Sequence, residues 1–369
     1  MSVYLDHAAT SPMPEEVLVA YTEALRLVGN PSAIHSAGQA ARAMLEDARE
    51  RIARFAGCDR NEVIFTSGGT ESNNLAIQGL YAARGKKLII SAYTEHHVVI
   101  DPIEDLVKQG AEVHWLSVSE NGLIDLDELK TVLEERADEV AFIALMWVNN
   151  ETGVITPIRE VCDIAEAHGI PVHSDAVAAF GHTPLHFAES GVATMAIAAH
   201  KIGGPVGVGA LLVGRKVKLK PLMHGGGQER GLRSGTMNSA GAHAFAVAAE
   251  IGQPDYRKLE QLAIELVAPF GKLTRGSAPG VPNILNFTFE GCPGDSMLFL
   301  LDQKNINTSN GSACTAGVAR ASHVLLAMGY PQELASTALR ISFGPQTTEH
   351  DIRTFAEALP EVVATARKI

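Results

Sequence analysis

The chain has 369 residues, 46% of them hydrophobic, and a formal net charge of −12, with a pI of about 5.6. That is ample for a large core and long for one typical domain, so two domains are expected, and the acidic, well-mixed charge argues against a nucleic-acid-binding surface. No run of about 18 apolar residues is present, which argues against a helical membrane span, and the scattered Cys58, Cys162, Cys292 and Cys314 read as free thiols of a cytoplasmic protein without a signal peptide.

In chain order, residues 1–11 form a short extended stretch that is expected to pack with a second domain. Amphipathic spacing predicts a helix over 37–55. Apolar runs predict strands at 62–66, 87–91, 112–116, 140–146, 171–174, 193–199 and 208–213, with helices over 103–109, 126–136 and 158–168 between them. This alternation predicts an α/β fold with a mainly parallel, doubly wound, seven-stranded sheet. A helix over 255–266 leads into shorter strands at 283–289 and 338–343, and a last helical pattern covers 351–368. The expected division is a large domain over 12–250 and a smaller α+β domain made of 1–11 plus 251–369.

Polar residues gather where the apolar runs end. The string TSGGTES (66–72), Glu95-His96-His97, Asn149-Asn150-Glu151, Asp175 and His200-Lys201 each follow a predicted strand. Ligands of open α/β sheets bind at the carboxyl ends of the strands, so these clusters imply one site at one sheet edge.

Each cluster has a plain reading and a chemical one. Asp175 and Lys201 alone are more simply a salt bridge, but a lysine and an aspartate at two strand ends also suit pyridoxal phosphate, the lysine as Schiff base and the aspartate on the ring nitrogen. Gly69 and Thr70 open a helix whose N-terminus favours a phosphate, although a strand-to-helix turn accounts for them equally well. His96 is either a surface histidine or a ring that stacks on a cofactor and moves protons. Asn150 forms a turn, or bonds a cofactor or substrate oxygen. The glycine-rich HGGGQERGLRSGT (224–236) is a surface loop or an anion-binding loop. Its HGGG string is not an esterase oxyanion hole, because no GxSxG elbow accompanies it. Cys314 lies among small residues that suit an exposed thiol, against the ordinary reading of an inert buried cysteine. Arg340, in an apolar strand, needs an anion, either a substrate carboxylate or a structural Asp or Glu.

Taken together, the ordered set YLDHAAT (4–10), GNPS (29–32), TSGGTES (66–72), TEH (94–96), VNNE (148–151), HSDA (173–176), His200-Lys201, the 224–236 loop, GSACT (311–315) and Leu339-Arg340 resembles the cysteine desulfurases of the NifS/IscS type. These belong to the class V aminotransferase group of fold type I pyridoxal phosphate enzymes. The resemblance implies Lys201 as Schiff-base lysine and proton carrier, Asp175 on the ring nitrogen, and His96 stacked on the ring. It implies Cys314 as the thiolate that takes sulfur from L-cysteine as a persulfide and passes it to an acceptor, leaving alanine. Asn150 and Arg340 match positions that hold the substrate carboxylate. Gly69, Thr70 and His200 match the phosphate side of the site, and Thr236 matches a phosphate contact across a homodimer interface with shared sites. No metal is expected. The sulfur acceptor is left open among iron–sulfur cluster assembly, tRNA thiolation and cofactor biosynthesis.

The chain departs from the family pattern at two places. Ala178 stands where a glutamine usually bonds the cofactor's phenolate oxygen, and Ala198 where a hydroxyl usually meets the phosphate. Each loss removes about 0.5–1.5 kcal/mol of hydrogen bonding. A lesser departure is His7, where asparagine is common. The alternatives weighed are a selenocysteine lyase, a cysteine sulfinate desulfinase, and a degenerate paralog acting as a scaffold for a sulfur-acceptor protein.

Overall fold

The computed structural model describes residues 2–311 and 321–368. Cys314 therefore lies outside the described residues. The chain opens with β1 (Val3–Tyr4), α1 (Glu15–Leu25) and α2 (Ser36–Ala56). It then alternates through β2 (Val63–Thr66), α3 (Gly69–Arg84), β3 (Leu88–Ala92), α4 (His97–Lys108), β4 (Glu112–Leu116), α5 (Leu126–Arg136), β5 (Val140–Ala144), α6 (Ile158–Glu166) and β6 (Val172–Asp175). After α7 (Phe187–Ser190) come β7 (Thr194–Ala198), β8 (Gly209–Val213), α8 (Ser239–Ile251) and α9 (Arg257–Val267). The remainder is β9 (Lys272–Leu273), β10 (Ile284–Thr288), α10 (Gly294–Asp302), β11 (Ile306–Asn307), α11 (His323–Ala327), α12 (Gln332–Ala335), β12 (Ala338–Ser342) and α13 (Glu349–Ala366).

The central sheet has seven strands in the order β2-β8-β7-β6-β5-β3-β4. Only β8 runs against its neighbours β2 and β7, while β3, β4, β5, β6 and β7 pair in parallel. The inner strands are buried along their whole length, as sheets covered on both faces require. Alternate residues divide between the faces with a period of two. Val63, Phe65, Leu88, Ile90, Met195 and Ile197 join one core with α2, α6 and α8. Ile89 and Phe142 face α3 and α4, and Ile64, Ala196 and Leu211 face α3 alone.

A second core gathers residues from both termini. Leu285, Phe287, Leu339, Ile341 and Phe343 pack with α9, α10 and α13 and with Val3 and Leu5. β1 pairs in parallel with β11, and the antiparallel sheet β12-β10-β9 lies beside it. The N-terminal stretch thus packs with the C-terminal elements. None of the helices among the described residues is long and apolar enough to cross a membrane.

Candidate functional site

Because β2, β3, β5, β6 and β7 all point the same way, their carboxyl ends share one sheet edge. A cavity of about 350 Å³ opens there. Its walls include Gly69, Thr70, His96, Asn150, Asp175, Ala178, His200 and Lys201 from the sheet side. Ala8 and Ala9 of the N-terminal stretch, Ser309 just past β11 and Arg340 of β12 close it. Of the proposed site residues that are described, the structure brings together all but Thr236. Thr236 borders a separate groove with Ser67, Arg233 and Met237.

Asp175 ends β6 and is buried. It accepts hydrogen bonds from the Val177 amide (2.9 Å) and Asn73 Nδ2 (3.0 Å). Burial nevertheless raises its pKa to about 6, a carboxylate under-stabilised until a cation or protonated ring faces it. Behind Asp175 lies a buried chain. Asn73 Oδ1 meets His173 Nε2 at 2.8 Å, and His173 Nδ1 meets Thr194 Oγ1 at 2.9 Å.

Lys201 sits in a single 3-10 turn, His200–Ile202, just past β7. Its Nζ donates to the carbonyls of Ala8 (2.5 Å) and Ala9 (3.0 Å). Burial, and then the neighbouring Arg340 charge, lower its pKa to about 8. About a tenth of the amine is therefore unprotonated and nucleophilic at pH 7, far more than for an ordinary lysine.

His96 is the N-cap of α4, and its Nδ1 accepts the Val98 amide at 3.0 Å. That bond leaves the proton of the neutral ring on Nε2. Burial and the Lys201 charge lower its pKa to about 4, so the ring is neutral at physiological pH. His200 Nδ1 lies 3.4 Å from Thr10 Oγ1.

Arg340, buried in β12, donates from Nη1 to the Asn150 carbonyl and from Nη2 to Asp6, both at 2.8 Å. Its Nε is buried with no partner among the described residues. The structural anion left open by the sequence is Asp6. The 224–236 loop does not leave both of its arginines for a ligand, because Arg233 pairs with Glu71 at 2.8 Å.

At the start of α3 no side chain caps the helix, which leaves its first amides open to an anion. Gly69 fits closely there, since a Cβ would come within 2.7 Å of a Val177 methyl and force it to shift. Ala178 lines the cavity, and Ala198 packs near the Gly69 turn. His7 is buried away from the cavity wall, with Thr347 Oγ1 3.3 Å from its Nε2.

Sequence reasoning missed Asn73, His173, Asp6 and the Ala8 and Ala9 carbonyls. A polar pair, Asn73-Asn74, inside a largely buried helix, and a histidine in a strand, two residues before Asp175, were the available signals.

The aminotransferase class-V family matches residues 3–355. The chain is 44% identical to the IscS-like cysteine desulfurase of Mycobacterium tuberculosis, over 99% of this chain and 97% of that protein. Among solved structures it resembles a NifS-like protein (TM-score 0.91, 31% identity, 99% of this chain and 100% of that one). It also resembles SspA in complex with cysteine (TM-score 0.84, 32% identity, 94% of this chain and 100% of that one).

Proposed function

This chain belongs to the aminotransferase class-V family and is a pyridoxal-phosphate-dependent cysteine desulfurase, and we propose that the cavity between Lys201, Asp175, His96 and Arg340 is where it takes sulfur from L-cysteine. The observation that carries this reading is the convergence of an amine, a carboxylate, a neutral imidazole and a guanidinium on one cavity beside an uncapped helix N-terminus. The residues fit the cofactor. Lys201 offers a nucleophilic amine, Asp175 an under-stabilised carboxylate for a protonated ring nitrogen, and Gly69, Thr70 and His200 a place for its phosphate. Bound there, pyridoxal phosphate supplies an electron sink for the substrate's α-carbon.

Lys201 then serves as the base that removes the α-proton and returns protons on the way to alanine. Its lowered pKa of about 8 suits that exchange near neutral pH. Arg340 and Asn150, both on the cavity wall, orient the substrate carboxylate. His96 carries its proton on Nε2, so it donates a hydrogen bond to the substrate sulfur and favours the thiolate.

Cys314 receives the sulfur. Its thiolate attacks the substrate sulfur, an S–S bond forms as the carbon–sulfur bond breaks, and the electron pair returns to carbon, which is protonated to alanine. The other thiols suit this chemistry poorly, since burial pushes Cys58 and Cys162 up to about 12 and raises Cys292. The persulfide passes to a sulfur-acceptor protein serving iron–sulfur assembly, tRNA thiolation or cofactor biosynthesis.

Two copies share their sites in this reading, working in the cytoplasm, and each chain divides at 12–250 against 1–11 with 251–369. Thr236 borders a groove separate from its own cavity, which suits a contact made to the partner's cofactor. The test is direct. The purified protein should be yellow, dimeric by sedimentation, and release alanine and sulfide from L-cysteine with a reductant. A Cys314→Ser variant with undiminished turnover would remove Cys314 from the mechanism, and equal rates on selenocysteine or cysteine sulfinate without Cys314 would favour a lyase of that kind. A colourless protein that binds no cofactor would favour the scaffold.

A further inference from the structure

Glu151 takes no part in the site described so far, yet it is buried where the ends of one chain segment meet. The segment between Gly311 and Ser322 carries Cys314. On its near side, Gly311 (φ +86°) lies so close that a Cβ there would sit 2.9 Å from Glu151 Oε2. On its far side, Ser322 Oγ donates to the same Oε2 at 2.5 Å. His323 follows, with Nδ1 4.0 Å from Glu151 Oε1.

Glu151 itself is rigidly set. Asn149 Oδ1 accepts the Glu151 and Thr152 amides at 2.9 and 2.8 Å, and Asn149 Nδ2 donates to the Thr94 carbonyl at 2.9 Å. The residue between, Asn150, lines the cavity, and its carbonyl holds Arg340. His323 Nε2 also meets the Glu95 carbonyl at 2.9 Å, beside His96. One turn thus carries both a wall of the substrate cavity and the carboxyl that bonds the far stem and lies against the near one. Burial raises the Glu151 pKa, so the group acts as a hydrogen-bonding pin more than as a free charge.

We propose that Glu151 is a positioning residue for sulfur transfer, fixing both stems of the Cys314-bearing segment to the turn that presents Asn150 to the substrate. The inference rests on the reading of Cys314 as the sulfur acceptor. It assigns Glu151 to the transfer step and not to substrate binding, because Glu151 does not itself line the cavity.

The test follows single turnovers of the holoenzyme mixed with L-cysteine. It reads the substrate-induced change in cofactor absorbance, then persulfide on Cys314 by quenching and mass spectrometry. In Glu151→Ala the absorbance change keeps its wild-type amplitude and half-saturation, while persulfide forms about tenfold more slowly or worse, since misplacement of about 1 Å costs on that scale or more. Glu151→Gln, which can still accept from Ser322, restores most of the rate. Ser322→Gly removes the hydroxyl at little capping cost, and it slows persulfide formation in the same way should Glu151→Ala fail to fold.

Wild-type persulfide rates in Glu151→Ala or Ser322→Gly overturn the proposal, as does a Gln variant as slow as the alanine one. Parallel loss of the absorbance change and the persulfide also overturns it, because that pattern marks general damage to the site. Full alanine production by Cys314→Ser identifies a different failure, that of the acceptor assignment itself, and the role of Glu151 falls with it.

Discussion

Asp175 and Lys201 first present themselves as two oppositely charged residues that a salt bridge would satisfy. The structure does not pair them. Lys201 Nζ goes to the Ala8 and Ala9 carbonyls, and Asp175 goes to Asn73 and Val177. Burial shifts both pKa values toward the neutral forms, to about 8 and about 6. Cofactor capture by the cofactor-free protein should therefore quicken with pH and level off above about pH 8. A rate still climbing tenfold per unit at pH 10 would return Lys201 to ordinary lysine behaviour. Ala178 allows a second test at this scale. Ala178→Gln places a donor on the cavity wall and should lower the midpoint of the holoenzyme's absorbance titration by about 0.5–1 unit, the equivalent of one hydrogen bond. An unmoved midpoint would mean that the missing glutamine has been replaced by another donor. Arg340→Lys loses the planar fork shared by Asp6 and the Asn150 carbonyl. We expect KM for L-cysteine to rise about 10-fold or more, with a smaller change in kcat.

At the scale of elements, the strands were the most legible part. Strands buried on both faces run largely apolar, so β2, β3, β5, β7 and β8 stood out as runs, and the partly exposed β4 and α5 end where the sequence reading put them. α4 was harder. The reading began it near 103, but it starts at His97. His96 caps it although histidine is not among the strong N-cap residues, and Pro102 sits inside, so both local signals pointed away from a helix. The two-residue strands β9 and β11 carry too little pattern to read. The Asn73–His173–Thr194 chain was illegible because its members are joined only in the folded sheet, His173 lying 100 positions from Asn73. The capping role of His96 has a consequence. His96→Asn keeps a capping side chain but removes the ring, so the melting temperature should stay within a few degrees while turnover falls by about 100-fold, the lower range for a proton-handling group. Equal loss of both would make His96 merely structural.

For the whole molecule, the folded core holds several imidazoles that resist protonation. Burial lowers His7, His96, His182 and His200 to about 4, and His173 to about 3. In the unfolded chain each takes up a proton near pH 6.5, whereas in the folded chain it does so only near 4 or below. Protons therefore favour unfolding, and stability falls as pH drops from about 7 toward 4. His173, fully enclosed, can alone withdraw on the order of 4 kcal/mol across that window. The raised carboxyls Asp175, Glu95 and Glu151 oppose the trend, since they bind protons more readily folded than unfolded. The imidazoles prevail in number, so the melting temperature should begin to fall below pH 6.5. A flat profile from pH 7.5 to 5 would contradict the burial of neutral histidines.

The central claim is that the sheet-edge cavity strips sulfur from L-cysteine and hands it to Cys314. It is tested most directly by incubating the holoenzyme with sulfur-labelled L-cysteine and mapping the label by mass spectrometry. The account predicts one labelled sulfur on the Cys314 peptide of the wild-type protein and none in Lys201→Ala. Label on Cys58, Cys162 or Cys292, or alanine accumulating with no label on Cys314, would contradict it.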